Sequence, residues 1–343
     1  MVNKKLKILI LQPNSDQSIA IVKFIRKYSR AYYIIAGLIN DPSQYIPSQL
    51  YDDKIIFKSI DEIIKNKNNF DIILPSGALS TKNLLSKVEF IKIGNIIFNF
   101  NNLEMFNKRA ILPIIQRLGI SIPQTYERID DIEEYPVFFK QAYEKGGGIR
   151  GIATTYSELY EIDPSEELIY QEYIDSPETY GFGFLSKDGQ IITYFIHKEL
   201  YSIPREGGSG VILEQYHDEK LVTYAKKIIS YFNYSGWGLI EFKYCPKRKD
   251  FVFMEINAKF WASIEFALLN NPVFFKELFN IFYEPKNVKC IIFLDRLAVY
   301  GLKEYLKLSL HFRKCYKIKI IKSLMILAMN MIPYKIKLIK KIL

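Results

Sequence analysis

Apolar and polar positions along the first third of the chain predict strand and helix by turns. Lys7 to Leu11 is a short apolar run, Ser18 to Lys27 carries helical spacing, and Tyr32 to Ile39 is apolar again, which makes a βαβ start. A second round follows with Lys54 to Phe57, the helical Ile60 to Lys65, and Phe70 to Leu74 closed by Pro75-Ser76-Gly77. Strands apolar on both faces imply a parallel sheet covered by crossover helices. The turn after the first strand, Gln12-Pro13-Asn14-Ser15-Asp16, lacks the glycines with which a GxGxxG turn approaches a pyrophosphate, so no dinucleotide site is expected there.

From about Asn107 the pattern changes. Lys108 to Leu118 predicts a helix broken near Pro113, and Gly119-Ile120-Ser121-Ile122-Pro123 turns the chain into an extended segment. Pro136 to Lys140 is a compact strand that ends on a lysine, followed by the loop Glu144 to Gly151 with three consecutive glycines, a backbone that must bend or lie against a ligand. The strand Leu168 to Ile174 comes next, and Gly181 to Leu185 pairs with Ile191 to Ile196 across an Asp188-Gly189 hairpin turn. A second glycine loop, Arg205 to Gly210, precedes a helix from about Asp218 to Phe232, then the strands Gly236 to Tyr244 and Phe251 to Ile256. Residues 305–343 read as basic helix, with an apolar block Ser323 to Ile332 before Pro333.

Composition narrows the class. A chain of 343 residues with 49% hydrophobic and 24% charged positions is a folded protein of more than one domain. Cys245, Cys290 and Cys315 lie far apart and away from His197, His217 and His311, so neither a disulfide framework nor a structural zinc site is expected, and a reducing cytoplasm is the expected location. His197 is read as a structural or solvent-facing residue. No basic-apolar-small leader precedes the first strand, and no apolar run approaches the roughly 20 residues of a membrane span. The net charge of +10 is local: ten of the 47 Lys and Arg residues, and no Asp or Glu, lie beyond Glu304, which leaves residues 1–304 balanced. Charge confined to an apolar-rich tail is not the basic face that tracks nucleic acid, and no nucleic-acid partner is expected. It suits peripheral contact with the anionic inner face of a membrane, or a pair of helices packed on the body with their lysines in water.

The sharpest constellation is Glu241, Glu255 and Asn257. On adjacent antiparallel strands both carboxylates can point to one face, and Asn257 shares the face of Glu255 because side chains alternate. Two carboxylates and an amide oxygen are hard ligands that suit Mg²⁺ or Mn²⁺; solvated strand carboxylates are the plain alternative. Lys140 ends a strand before a glycine loop whose N–H groups can cradle an anion, and Lys108 is a second phosphate candidate.

In this order the residues resemble the ATP-grasp superfamily, and within it the carboxylate-amine ligases and their carbamoyl-phosphate-synthase-like relatives. The likeness rests on Lys108 with the Gly119 to Pro123 turn, Pro136 to Lys140 with its glycine loop, Gln171-Glu172-Tyr173-Ile174 with Glu178, and Glu255-Ile256-Asn257-Ala258-Lys259-Phe260-Trp261. The resemblance implies an α/β architecture with a Rossmann-like parallel-sheet domain (1–105), an ATP-grasp small lobe (106–185), a large lobe (186–285) and a basic helical tail (286–343). It implies that Lys108 and Lys140 hold ATP phosphates and that the loop with Gly147 and Gly148 closes over them. Gln171, Glu172, Tyr173 and Ile174 would line the adenine hinge, with Glu178 on the ribose and Phe138 and Met254 on the purine faces. Glu241, Glu255 and Asn257 match the family's metal ligands, and Lys198 and Arg205 stand where basic residues meet the transferred phosphate and acyl group. Lys259 replaces an arginine common after this Glu-x-Asn motif, which alters substrate contacts. The expected activity is ATP-dependent ligation of a small-molecule carboxylate to an amine through an acyl phosphate, with ADP and phosphate released. The alternatives are an ATP-grasp kinase and an inactive membrane-associated nucleotide-binding scaffold. Substrate choice would fall to Asn14, Ser15, Ser76, Gly77 and the second glycine loop.

Overall fold

The computed structural model describes residues 4–41, 43, 46–143, 148–162, 167–205 and 207–330. The apolar runs of the first third become β1 (Leu6–Leu11), β2 (Tyr32–Ile39), β3 (Asp53–Phe57) and β4 (Ile72–Pro75), all parallel and ordered β3-β2-β1-β4. The helices α1 (Asp16–Tyr28), α2 (Ile60–Lys65) and α3 (Ala78–Leu85) follow β1, β3 and β4. Helix α1 starts where the Ser15 hydroxyl accepts the Ser18 N–H, and it buries Ile21, Val22, Phe24 and Ile25. Burial of each such side chain contributes about 1.5–3 kcal/mol.

A hairpin that the hydrophobic pattern does not announce, β5 (Phe90–Ile93) and β6 (Ile96–Asn99), closes this domain. Its turn needs Gly94: φ is +57°, and a Cβ there would sit 2.3 Å from the Glu277 carbonyl oxygen. Asn95 N–H donates to that same oxygen at 2.9 Å, so the turn docks on a segment about 180 residues further along the chain. Helix α4 (Lys108–Arg117) follows, capped by the Asn107 side chain. It runs through Pro113 without the expected break, because the buried Ile111, Leu112 and Ile115 hold its turns in place despite the missing N–H.

The second sheet is antiparallel: β7 (Thr125–Tyr126), β8 (Val137–Gln141), β9 (Arg150–Ala153) and β10 (Leu168–Glu172), ordered β7-β10-β8-β9, with α5 (Tyr156–Tyr160) after β9. Tyr126, Val137, Ala153 and Leu159 form a small core of its own. The third sheet contains β11 (Thr179–Lys187), β12 (Gln190–Ile203), β13 (Ser209–Gln215), β14 (Gly236–Cys245), β15 (Asp250–Asn257), β16 (Cys290–Phe293) and β17 (Tyr316–Ile318). Its order is β15-β14-β11-β12-β13-β16-β17. It is accompanied by α6 (Glu219–Tyr231), α7 (Ile264–Asn270), α8 (Val273–Phe279), α9 (Leu294–Ala298) and α10 (Leu302–His311). One apolar core runs from the first sheet into the third; Phe24 of α1 meets Phe275 at 5.7 Å between ring centroids, and Tyr28 stacks on Tyr283 at 4.5 Å.

Two expectations for the C-terminal region are corrected. It is not helix throughout: α10 ends at His311, β17 joins the large sheet parallel to β16, and residues 320–330 form a further helix, α11. Residues from Met331 onward, Lys335 to Lys341 among them, lie outside the described residues. The cysteines are not all free: Cys290 and Cys315 form a disulfide with their Cα atoms 4.6 Å apart, while Cys245 is buried and unbonded. A separation of 25 residues hides this pairing in the sequence. The parallel register that sets Ile291 beside Tyr316 brings the two sulfurs together. Among the described residues no helix is long and apolar enough to cross a membrane.

His197 on β12 is buried, as its structural reading requires, and burial pushes its pKa down to about 3. The unfolded chain therefore binds a proton between about pH 6.5 and 3 that the folded chain refuses, so this residue makes stability fall as pH drops through that window. A His197→Gln variant is expected to lose about 1.5 kcal/mol less than wild type between pH 6.5 and 5. Urea midpoints at the two pH values check this.

Candidate functional site

A cavity of about 510 Å³ opens where the carboxyl ends of β1 and β4, the second sheet and the β14-β15 hairpin converge. Such strand ends are where open parallel sheets leave room for ligands. Of the residues singled out from sequence, the cavity wall contains Lys108, Phe138, Lys140, Gly148, Glu172, Tyr173, Ile174, Arg205, Glu241, Met254, Glu255 and Asn257. Gln171, Glu178 and Lys198 are not part of the wall, and Gly147 lies outside the described residues.

The centre of the site is a buried cluster of charge. Lys108 begins α4 and places Nζ 2.7 Å from Glu255 Oε2; Lys140, near the end of β8, approaches the same oxygen at 3.6 Å and donates to the Met254 carbonyl at 2.9 Å. Asn257 Nδ2 donates to Glu255 Oε1 at 3.0 Å. Burial pushes the Lys140 ammonium down to about 8, with Lys108 adding repulsion and Glu255 opposing both. Burial also works against an ionised Glu255, but Lys108 and Lys140 outweigh it and hold this carboxyl well below the usual carboxylate range. Glu241 stands opposite Glu255 in the strand register; burial, followed by the charge of Glu255, pushes its carboxyl well up.

These donors suit a hard cation. Glu241 makes no ion pair among the described residues, and Asn257 uses its amide nitrogen for the hydrogen bond to Glu255, which leaves its oxygen for a ligand. Among the described residues there is no cluster of three or more His, Cys, Asp or Glu. A carboxylate pair with one amide oxygen is a set that Mg²⁺ would complete with water and phosphate oxygens.

The glycine loops frame the cavity. Gly148 has φ +138°, and a Cβ there would fall 2.0 Å from Gln141 Oε1. Gly207 of the second loop, at φ +64°, would bring a Cβ to 3.0 Å from the Phe138 ring, so this loop lies over the wall that Phe138 builds. Glu172 accepts the Gln124 N–H at 3.1 Å and pairs with Arg248, whose guanidinium also reaches Ser121 and the Ile122 carbonyl. Gln171 stands directly across from Phe138 in the register and so shares its sheet face, but it is fully buried and donates to Thr125 Oγ1 at 3.2 Å. Lys198 is held between Glu178 at 3.3 Å and Glu214 at 3.7 Å.

Several wall residues escape sequence reasoning. Arg296 on α9 lines the cavity, donates to the carbonyls of Ala262 and Gly210, and pairs with Asp16 at 2.9 Å. Asp16 also receives Lys319 at 2.5 Å, which ties the start of α1 to the C-terminal region. Burial opposes the charge on Asp16, yet Arg296 and Lys319 together hold its carboxyl well below the usual range. Glu199, Trp261 and Lys259 also stand in the wall. Ser15 and Gly77 are there as anticipated, joined by Gln12 and Gln17. No motif marks Arg296; only the apolar run of β16 before it hints at a fixed position.

No protein-family model matches the sequence, nor does any curated protein. Solved structures do. Biotin carboxylase of Campylobacter jejuni, solved as a β,γ-ATP complex, superposes with a TM-score of 0.60 at 18% identity over 82% of this chain and 72% of its own. Pyruvate carboxylase of Rhizobium etli gives 0.60 at 17% identity over 76% of this chain, which spans only 27% of that enzyme. The L-amino acid ligase of Bacillus licheniformis gives 0.58 at 15% identity, covering 76% of this chain and 69% of that one.

Asp16→Asn removes a counter-charge from both Arg296 and Lys319. The expected cost is about 1.5–3 kcal/mol, the range for hydrogen bonds to charged groups. A lowered urea midpoint at pH 7, with the difference from wild type shrinking as pH falls below the usual carboxylate range, would bear this out.

Proposed function

We propose that this chain, which has the ATP-grasp fold, is an ATP-dependent ligase that joins a carboxylate to an amine through an acyl phosphate. The observation that carries the reading is the buried Lys108–Glu255–Lys140 cluster beside Glu241 and Asn257, inside a cavity framed by two glycine-rich loops. Two lysines that share one carboxylate oxygen are a site prepared for a more highly charged guest. ATP phosphates would take over Lys108 and Lys140, freeing Glu255 to join Glu241 and Asn257 as oxygen ligands. A divalent cation held there would screen the phosphate oxygens so that a second anion can approach.

The protein's own residues would do the rest by positioning. Phe138 and Met254 would pack on the purine, with Glu172, Tyr173 and Ile174 at its edge. Arg205 and Arg296 stand in the same wall and supply positive charge for the incoming carboxylate. In the first step a carboxylate oxygen bonds to the γ-phosphorus and the bond to the ADP oxygen breaks. In the second the amine nitrogen bonds to the acyl carbon, inorganic phosphate leaves with the former carboxylate oxygen, and the amine proton passes to water. Lys198, locked between Glu178 and Glu214, is given no role in transfer.

Phosphate release from Mg-ATP is expected to require both a carboxylate and an amine when the protein is tested against panels of each. With ¹⁸O-labelled carboxylate, one label is expected in the released phosphate. Phosphorylation of one acceptor without condensation would replace the ligase reading with a kinase. Glu255→Gln is expected to reduce turnover by about 100-fold or more, the scale on which single charge-stabilising groups act. Wild-type rates in this variant would remove Glu255 from the site.

A further inference from the structure

Helices α10 and α11 expose apolar side chains where a water-facing helix ordinarily carries polar ones. On α10, Leu306 and Leu310 are 47% and 67% exposed, one turn apart, while Leu308 serves the inner side. On α11, Ile321 is 77% exposed, Met325 62% and Met329 66%, while Ser323 and Leu327 are buried beneath. The two helices meet at Tyr305 and Ser323, whose hydroxyls lie 3.1 Å apart. A helix apolar on its outer as well as its inner side is built for an apolar partner.

Charge identifies that partner. Lys303, Lys307 and Lys314 are exposed on and beside these helices. The last acidic residue of the chain, Glu304, is already engaged by Tyr201 and Lys307. A second copy packed on this face would set lysine against lysine, and a nucleic acid would have no use for the leucines and methionines. We propose that α10 and α11 dock the protein on an anionic lipid bilayer, with the apolar side chains in the headgroup–acyl boundary and the lysines on the phosphates. Among the described residues no helix is long and apolar enough to cross a membrane, and the docking proposed here sets α11 on the bilayer surface. The platform is fixed to the body by the Cys290–Cys315 disulfide and by Lys319 and Lys322 on the buried Asp295. This inference is independent of the catalytic reading.

The test is co-sedimentation of the full chain with phosphatidylcholine vesicles and with vesicles that also contain phosphatidylglycerol. Binding is expected at least about tenfold tighter on the anionic vesicles and weaker at high salt. An Ile321→Glu/Met325→Glu double variant is expected to lose at least about tenfold with an unchanged thermal midpoint, because both side chains face outward. Leu79→Glu, at an exposed position on α3, is expected to bind as wild type. No binding to anionic vesicles, equal binding to neutral ones, or full binding by the double variant would overturn the proposal. So would a dimer in light scattering that the double variant converts to monomer, which would make a second copy the occupant.

Discussion

Three parts of the chain that are remote in sequence meet on one oxygen. Lys108 comes from the start of α4, Lys140 from the second sheet and Glu255 from the third, and their ammonium and carboxylate groups converge within 2.7 to 3.6 Å in a buried setting. A buried charge is costly unless paired, so each element must arrive in register for the others to be tolerated. Lys140 also bonds the Met254 carbonyl, which ties the second sheet to the backbone of β15 as well as to its side chain. The cavity takes its shape from this constraint. It places the ends of the two sheets against each other and leaves a space with positive charge on its floor.

The same cluster explains why the site can be stable without a ligand and still receive one. Glu255 is satisfied by two lysines while Glu241 faces it with a carboxyl pushed toward neutrality. A guest that brings phosphate for the lysines and a cation for the carboxylates exchanges one set of charge pairs for another without leaving any buried charge alone. The exchange needs little backbone movement in the third sheet, where Glu241 and Glu255 are fixed by strand register.

Legibility in the sequence followed physical range. The parallel sheet and its crossover helices are written in local periodicity, and so are the strands that hold Lys140, Glu241 and Glu255, because alternation within one strand decides which face each side chain takes. What local pattern cannot carry is pairing between distant segments. Cys290 meets Cys315, and Asp16 meets Arg296 and Lys319, only because β16 and β17 join the large sheet side by side. The β5-β6 hairpin is hidden for a related reason: its Gly94 turn is shaped by Glu277, far away in the sequence. Gln171 shows the limit of motif reading within a strand, since it is fully buried and bonded to Thr125 while its neighbour Glu172, at the end of the strand, reaches the cavity wall.

The C-terminal region joins these levels. Arg296 stands in the cavity wall and, through Asp16, shares a carboxylate with Lys319, which lies one residue before α11. Lys319 and Lys322 both reach the buried Asp295, the neighbour of Arg296 on α9. Buried ion pairs yield in discrete steps, because a half-broken pair leaves an uncompensated charge. The arrangement of α9, β17 and α11 thus joins the start of the last described helix to the guanidinium of Arg296 by charge pairing that no single segment of the chain contains.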